Sequence, residues 1–168
     1  MLINSKIVEI VPESFEHYTD ENIVRELYIW HKGIEPDETE VEVFKSYLKM
    51  HLNGLKKVSP ELFHPVAGAQ SILSSLNSDW KVALASGCWS FAAKLKLEAA
   101  GIILPENLPI STSDGILSRQ EIMNNAIKMA KISYAVEEFE RIVYIGDGIW
   151  DLKTCASLNI PFVGIEAE

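Results

Sequence analysis

The second part of the chain alternates between strand-like and helix-like segments, and this alternation limits the fold more than any other feature. Apolar runs typical of buried strands cover residues 80–86, 141–146 and 161–165, and a weaker one covers residues 108–112. Segments with helical periodicity stand between them, joined by short connections. Strands that alternate with helices pair in parallel, with the helices against the sheet faces. The sequence therefore predicts an α/β fold built on a parallel sheet.

The first part of the chain is predicted to be helical instead. Asp20 stands where it could cap a helix through residues 21–33. Asp37 and Glu40 match a capping box at the start of a second helix. His51 falls on the apolar stripe of that second helix, where we expect a partly buried core histidine.

The helical periodicity is lost over residues 57–65, which marks a boundary. We therefore expect a helical lobe at residues 1–60 and an α/β core at residues 61–168. Within that core, helices are predicted at residues 69–76, 91–101, 118–131 and 150–159.

Composition disfavours several classes of function. The 168 residues carry 15 basic and 24 acidic side chains, and this net charge of −9 disfavours contacts with a nucleic-acid backbone. No apolar run reaches the roughly 18 residues that would span a bilayer, and residues 1–14 lack the pattern of a signal peptide. Cys88 and Cys155 are too few and too isolated for a disulfide framework or a zinc site. We expect a cytoplasmic protein with a small-molecule partner and without nucleic-acid or membrane binding.

Polar residues stand at the strand ends where parallel sheets bind their ligands. Ser86 and Gly87 offer a hydroxyl and backbone amides to an anion. Asp147 and Asp151 are hard oxygen ligands of the kind that suits Mg²⁺. Arg119, at a helix start, carries a planar guanidinium that suits phosphate. An anion binder, cation ligands and a fixed positive charge together predict a phosphoryl-transfer site.

Each of these signals also has an ordinary structural interpretation. The Ser-Gly pair could form a simple turn, and the two aspartates could cap the next helix. Arg119 could pair with Glu98 or Glu121 on the surface. Lys94 and Lys96 are alternative phosphate donors, although their helical spacing is typical of surface lysines.

Three segments resemble motifs two, three and four of the haloacid dehalogenase-like (HAD) hydrolases: VALASG, SR at a helix start, and VYIGDGIWDL. The resemblance is closest to the phosphoglycolate-phosphatase-like branch and covers nearly the whole chain, from Phe15 to Ile165. It implies a Rossmannoid parallel sheet flanked by helices, with a small N-terminal helical cap that closes over the substrate. The implied activity is Mg²⁺-dependent hydrolysis of small phosphorylated metabolites.

The same resemblance implies a role for each site residue. Ser86 would hydrogen-bond the transferring phosphoryl group, and Gly87 would supply a backbone amide. Asp147 and Asp151 would hold Mg²⁺ directly or through water. Motif three is commonly a lysine in this family, so Arg119 at the matching position keeps the charge but changes its reach and geometry.

The first motif of the family, an aspartate nucleophile in a D-x-D-G-T pattern, has no counterpart in this sequence. Glu9 and Glu13 are the nearest candidates, but they lack the D-x-D spacing and the glycine turn. In the family, the motif-one strand lies between the strands of motifs two and four. Here those two strands would pair directly, accept residues 5–11 as a replacement, or leave unpaired edges that favour self-association. We predict a truncated or inactive phosphatase or, alternatively, a non-catalytic Mg²⁺- and phosphate-binding regulatory protein.

Aromatic residues and a cysteine next to the motifs add further expectations. Trp89 and Trp150 follow motifs two and four and are expected to wall the pocket. Cys88 is expected near the pocket, Cys155 in the core, and Trp80 packed at the start of a strand.

Overall fold

The computed structural model describes residues 15–165, and the candidates Glu9 and Glu13 lie outside that range. The N-terminal part consists of helix α1 at Asp20–Lys32 and helix α2 at Glu38–Val58. These helices contact one another, and a short 3₁₀ turn at Pro60–Phe63 follows α2. The predicted helical character of this part is therefore confirmed.

The remaining elements alternate as the sequence predicted. In chain order they are α3 (Ala69–Ser75), β1 (Leu84–Ala85), α4 (Ser90–Ala99), β2 (Ile110–Ser111), α5 (Arg119–Ser133), β3 (Tyr144–Gly146), α6 (Ile149–Leu158) and β4 (Phe162–Gly164). Each strand is shorter than the apolar run that contains it. None of the helices within residues 15–165 has the length and apolar character needed to cross a membrane.

All described strand pairings are parallel, but they form two separate pairs. β1 pairs with β2 in the register Leu84↔Ile110, and β3 pairs with β4 in the register Tyr144↔Phe162. Within the described part of the chain, no ladder joins β1 to β3. A mixed α/β structure with parallel pairing is confirmed, whereas a single continuous sheet is not formed by these residues. The apolar runs are strands only where a partner strand lies beside them, because a strand needs a hydrogen-bonded neighbour.

The start of α1 differs by one residue from the prediction. Thr19, rather than Asp20, is the N-cap, and its hydroxyl accepts the Asn22 backbone N–H at 3.2 Å. The capping box of α2 is confirmed: the Asp37 N–H donates to Glu40 Oε2 at 3.0 Å, and the Glu40 N–H donates to Asp37 Oδ1 at 2.9 Å. The carboxylate of Asp20 instead accepts a hydrogen bond from the backbone at the start of α4.

The prediction for His51 is wrong, because its side chain is exposed. The buried residues of α2 are Val41 and Leu52, and the helix contacts α4. Adjacent helix residues differ in direction by about 100°. His51 therefore lies about 100° around the helix from Leu52, outside the buried stripe.

Candidate functional site

Two loops and a helix start meet at the carboxyl ends of β1 and β3. The guanidinium of Arg119, the first residue of α5, is 2.6 Å from the Asp151 carboxylate in α6 (Nη1 to Oδ1). Its Nη2 lies against Gly87 so closely that a Cβ on this glycine would come within 2.8 Å. The structure thus brings together Gly87, Arg119 and Asp151, from the three segments that the sequence analysis singled out.

Arg119 is fixed on several sides. Its Nε donates to the Tyr18 carbonyl at 3.2 Å, and its guanidinium carbon lies 5.7 Å from the centre of the Trp150 ring. Trp150 in turn stacks on Tyr18 with 4.1 Å between ring centres. Arg119 therefore pairs with neither Glu98 nor Glu121, and Trp150 borders the site as expected.

Asp151 is the buried counter-ion of this arginine. Only 4 % of its side chain is exposed, and its Oδ1 also accepts the Tyr144 hydroxyl at 3.3 Å. Its Oδ2 accepts the Gly148 N–H at 3.2 Å. Burial raises the pKa of Asp151, an effect that the Arg119 charge opposes and that the nearby charge of Asp147 reinforces. Its hydrogen bonds show that Asp151 serves to hold Arg119 in place.

Gly146 and Tyr144 complete the surroundings of this ion pair. A Cβ on Gly146 would lie 2.7 Å from Asp151 Oδ2, so the carboxylate reaches the strand end only because residue 146 is a glycine. The single hydroxyl hydrogen of Tyr144 is shared between Asp151 Oδ1 and the Ala85 carbonyl, which lies 3.2 Å from the hydroxyl oxygen. Burial, with the charge of Asp151, raises the pKa of Tyr144 to about 12, so this phenol remains a neutral hydrogen-bond donor at ordinary pH. Sequence reasoning missed Tyr144 because an aromatic residue in a strand is most simply read as core.

Ser86 and Asp147 lie at the edges of the same site. The Ser86 Oγ accepts the Cys88 N–H at 3.2 Å, so the Ser-Gly pair does form the turn considered as an ordinary alternative. The hydroxyl hydrogen of Ser86 is not used by that contact and can still be donated to an anion. Asp147 is exposed on the loop between β3 and α6.

The two aspartates proposed as Mg²⁺ ligands differ in how available their carboxylates are to a metal ion. Asp147 presents an exposed carboxylate, which fits a Mg²⁺ ion that keeps several of its waters. Asp151 is already neutralised by Arg119, so it fits such an ion only through water or after Arg119 moves. Among residues 15–165, no group of three or more His, Cys, Asp or Glu side chains stands close enough to hold a metal. The magnesium site remains a prediction that depends mainly on Asp147.

Two further carboxylates lie at the start of α4. The Asp20 Oδ2 accepts the Trp89 backbone N–H at 2.9 Å, and the Asp114 Oδ2 accepts the Ser90 N–H at 2.7 Å. Burial raises the pKa of Asp20, although the hydrogen bond from Trp89 opposes the shift. The N-terminus of α4 is therefore occupied by carboxylates rather than open to an anion. The sequence carried no signal for this use of Asp114.

Trp89 does not wall the pocket, because only 1 % of it is exposed. Its indole N–H donates to Glu21 Oε2 at 2.7 Å, and the other oxygen of Glu21 pairs with Arg25 at 2.9 Å. This buried contact joins α1 to the start of α4. Periodicity alone could not predict a buried Glu21, because a charged residue in an amphipathic helix is expected to face water.

The remaining candidates near the site are more peripheral. Lys94 and Lys96 are both exposed, and Lys96 Nζ donates to Cys88 Sγ at 3.2 Å. Cys155 is buried as expected, whereas Trp80 is 49 % exposed and is not packed as predicted.

A cavity of about 580 Å³ lies between β1 and β3, lined by Ala85 and Tyr144 among others. It contains none of the predicted site residues. We take the rim around Arg119 as the candidate site because the charged and hydrogen-bonding groups gather there.

Comparisons of the chain with protein-family models, with curated proteins and with solved structures gave no match.

Proposed function

We propose that this chain is a HAD-like protein that binds small phosphate monoesters, together with Mg²⁺, and does not hydrolyse them. The observation that supports the proposal most strongly is the position of Arg119, whose guanidinium lies between the Gly87 backbone and the Asp151 carboxylate. The Nη2 of Arg119 is used neither by the hydrogen bond to Tyr18 nor by the one to Asp151 and can donate to a phosphate oxygen. The sequence resemblance to HAD motifs two to four assigns the same region to phosphate.

Each neighbouring residue would have a defined part in binding. Asp151 orients Arg119, and the hydroxyl of Ser86 would donate to a phosphate oxygen. Asp147, which is exposed, would hold Mg²⁺. The ion would supply charge neutralisation for a dianionic ester.

The proposed lack of turnover is supported by the roles of two described carboxylates, Asp20 and Asp151. Hydrolysis in the HAD manner needs a carboxylate free to attack phosphorus. Asp20 accepts the backbone N–H of Trp89, and Asp151 is paired with Arg119. These two carboxylates are therefore already engaged, one in a hydrogen bond and the other in an ion pair within the fold. The competing function, a Mg²⁺-dependent phosphatase, would require an attacking group elsewhere in the chain.

Isothermal titration calorimetry with inorganic phosphate and Mg²⁺ tests this proposal. We expect the wild-type chain to bind phosphate, and Arg119→Met to lose at least about tenfold in affinity because it removes a charge-assisted contact. Lys94→Met, which removes an exposed positive charge on α4, should bind as the wild type does. Equal affinity in wild type and Arg119→Met would refute the proposed site.

A further inference from the structure

Helix α2 carries a second apolar face besides the one that it buries. We use the term outer face for four apolar side chains of this helix, Val43, Tyr47, Met50 and Val58. Each of them is at least half exposed, from 50 % at Val43 to 76 % at Val58. Because successive residues turn by about 100° around a helix, these four positions fall within an arc of about 80°. They therefore form one continuous face.

The outer face lies away from the packing of α2 against the rest of the described chain. The buried residues Val41 and Leu52 stand about 140° to 160° around the helix from its middle. The four side chains extend along about 22 Å of the helix axis. Single exposed apolar residues are ordinary on a protein surface, whereas a continuous row of them marks an interaction surface.

The charges of α2 are arranged so that the helix complements itself. Its first turn holds Glu38 and Glu40, and its last turn holds Lys56 and Lys57. Two copies of such a helix that pack antiparallel bring the acidic end of each beside the basic end of the other. A parallel pair would bring like charges together, which costs free energy. The partner whose charges match this face is therefore a second copy of the same chain.

Helix α2 also lacks the acidic excess of the whole chain. The net charge of the chain is −9, so two copies repel one another through most of their surface. Helix α2, in contrast, carries three glutamates and four lysines. Two copies can therefore approach through α2 at a lower electrostatic cost than through the acidic parts of the molecule.

We propose that two copies of this chain form a symmetric dimer in which their α2 helices pack antiparallel along the outer face. The twofold axis passes between residues 48 and 49, so Tyr47 of each copy meets Met50 of the other. A thioether against an aromatic ring is a favourable contact. This pairing places Tyr47 and Met50 of both copies at the centre of the interface, with Val43 and Val58 toward its ends.

The same register brings opposite charges together at the border of the interface. Lys57 of one copy lies within about two residues, or about 3 Å along the axis, of Glu42 of the other. Glu42 pairs with Lys45 of its own chain at 2.8 Å, but most of its side chain remains exposed to a second cation. Exposed pairs of this kind fix the orientation of a complex more than they strengthen it.

The length of the outer face limits the strength of the dimer. Stable interfaces bury about 1,200–2,000 Å² in total, and a single pair of helices in contact over about 22 Å buries less than this. We therefore expect a dissociation constant on the order of 10–100 μM, so that monomer and dimer exchange with concentration.

Sedimentation velocity of the full-length chain, from about 5 μM to about 500 μM, tests this inference because the series brackets the expected dissociation constant. The weight-average mass should rise from 18.8 kDa toward twice that value. Tyr47→Asp and Met50→Asp should each weaken the dimer at least about tenfold, because each places a charge at the centre of an apolar contact. Ile103→Asp adds the same charge at an almost fully exposed apolar side chain outside α2, and it should leave the dimer unchanged.

Charge reversal tests the antiparallel arrangement separately. Lys57→Glu places an acid near Glu42 of the other copy, so it should weaken the dimer by about threefold or more at low salt. The double variant Glu42→Lys/Lys57→Glu should recover the affinity, because opposite charges face each other again. Tighter association of Lys57→Glu would indicate parallel helices and would contradict the proposal.

Two further outcomes would overturn the inference. A wild-type chain that stays monomeric over the whole concentration series would mean that the outer face does not bind a second copy. A dimer that persists in folded Tyr47→Asp and Met50→Asp would place the interface elsewhere, and circular dichroism shows whether these variants are folded. If they do not fold, the wild-type series and Lys57→Glu decide. None of these results depends on phosphate binding.

Discussion

Arg119 and Asp151 form an ion pair in which each charge depends on the other. Both side chains are largely buried, at 17 % and 4 % exposure. Removing two charges from water is costly, and their attraction offsets this cost only while both are present. The pair therefore sets the geometry of the site, and breaking it from one side destabilises the fold.

We expect Arg119→Met to lower the free energy of unfolding by about 3 kcal/mol, because it leaves the buried Asp151 carboxylate without a counter-ion. Urea unfolding at pH 7 measures this change. The double variant Arg119→Met/Asp151→Asn should recover most of the loss. Lys131→Met, which breaks an ion pair with the exposed Glu138, should cost under about 1 kcal/mol. A loss for Arg119→Met no larger than this control would contradict the role of the buried pair.

Asp20 should make the protein less stable as the pH rises. Burial raises the pKa of this carboxyl in the folded chain above its ordinary value. The folded state thus holds the proton more tightly, so the contribution of Asp20 is fully present below about pH 4 and is lost as the pH rises through the folded pKa. Asp20→Asn, which keeps an acceptor for the Trp89 N–H, should weaken this dependence.

Urea unfolding at intervals from pH 4 to pH 7 checks this expectation, with Glu137→Gln, an exposed carboxylate, as the control. The difference in unfolding free energy between Asp20→Asn and the wild type should grow in favour of the variant as the pH rises. A constant difference would show that Asp20 does not titrate differently in the two states.

The site residues that were identified from the sequence all stand in a recognisable local pattern. Gly87, Arg119 and Asp151 each follow a strand or begin a helix, and such positions can be located from local patterns alone. Tyr18, Glu21 and Tyr144 could not be found in this way. Their roles depend on partners between 7 and 101 positions away in the chain.

At the scale of elements, helix ends were more predictable than strand lengths. The capping box at Asp37 was correct because its two hydrogen bonds lie within four residues of chain. The run at residues 80–86 gave only the short strand Leu84–Ala85, because a strand extends only where a neighbour pairs with it. The position of that neighbour is not encoded in the run itself.

The turn after β1 should tolerate no side chain at Gly87. A Cβ there would meet Arg119 Nη2 at 2.8 Å and the Tyr18 backbone oxygen at 3.0 Å. We expect Gly87→Ala to destabilise the chain by about 1–3 kcal/mol through overpacking and to weaken phosphate binding by moving Arg119. Thermal unfolding and phosphate titration measure the two effects.

Gly54→Ala is the matched control for this substitution. Gly54 lies inside α2, and a Cβ there would meet nothing within 4 Å. Alanine should therefore stabilise the helix by up to about 1 kcal/mol. If Gly87→Ala behaved like this control, the close approach of Arg119 would not matter to the site.

For the whole molecule, the alternation of segments correctly predicted a parallel α/β structure behind an N-terminal pair of helices. The sequence left open whether the strands of motifs two and four pair with each other, because strand pairing depends on residues far apart in the chain; among the described residues these strands, β1 and β3, belong to separate pairs. The contact between Glu21 and Trp89 could not be predicted either, because these two residues are 68 positions apart in the chain. The contacts between helices and strands are therefore harder to predict from the sequence than the helices and strands themselves.

We propose that the whole chain binds a phosphate monoester at Arg119 and leaves it intact. Phosphorus-31 NMR of a simple phosphate monoester with Mg²⁺ and the full-length chain follows both events in one sample. We predict that the ester resonance broadens or shifts when the protein is added, and that no orthophosphate resonance forms over many hours. An ester resonance unchanged by the protein would contradict phosphate binding at Arg119, and orthophosphate that forms with the wild type but not with Asp147→Ala would show that the ester is hydrolysed.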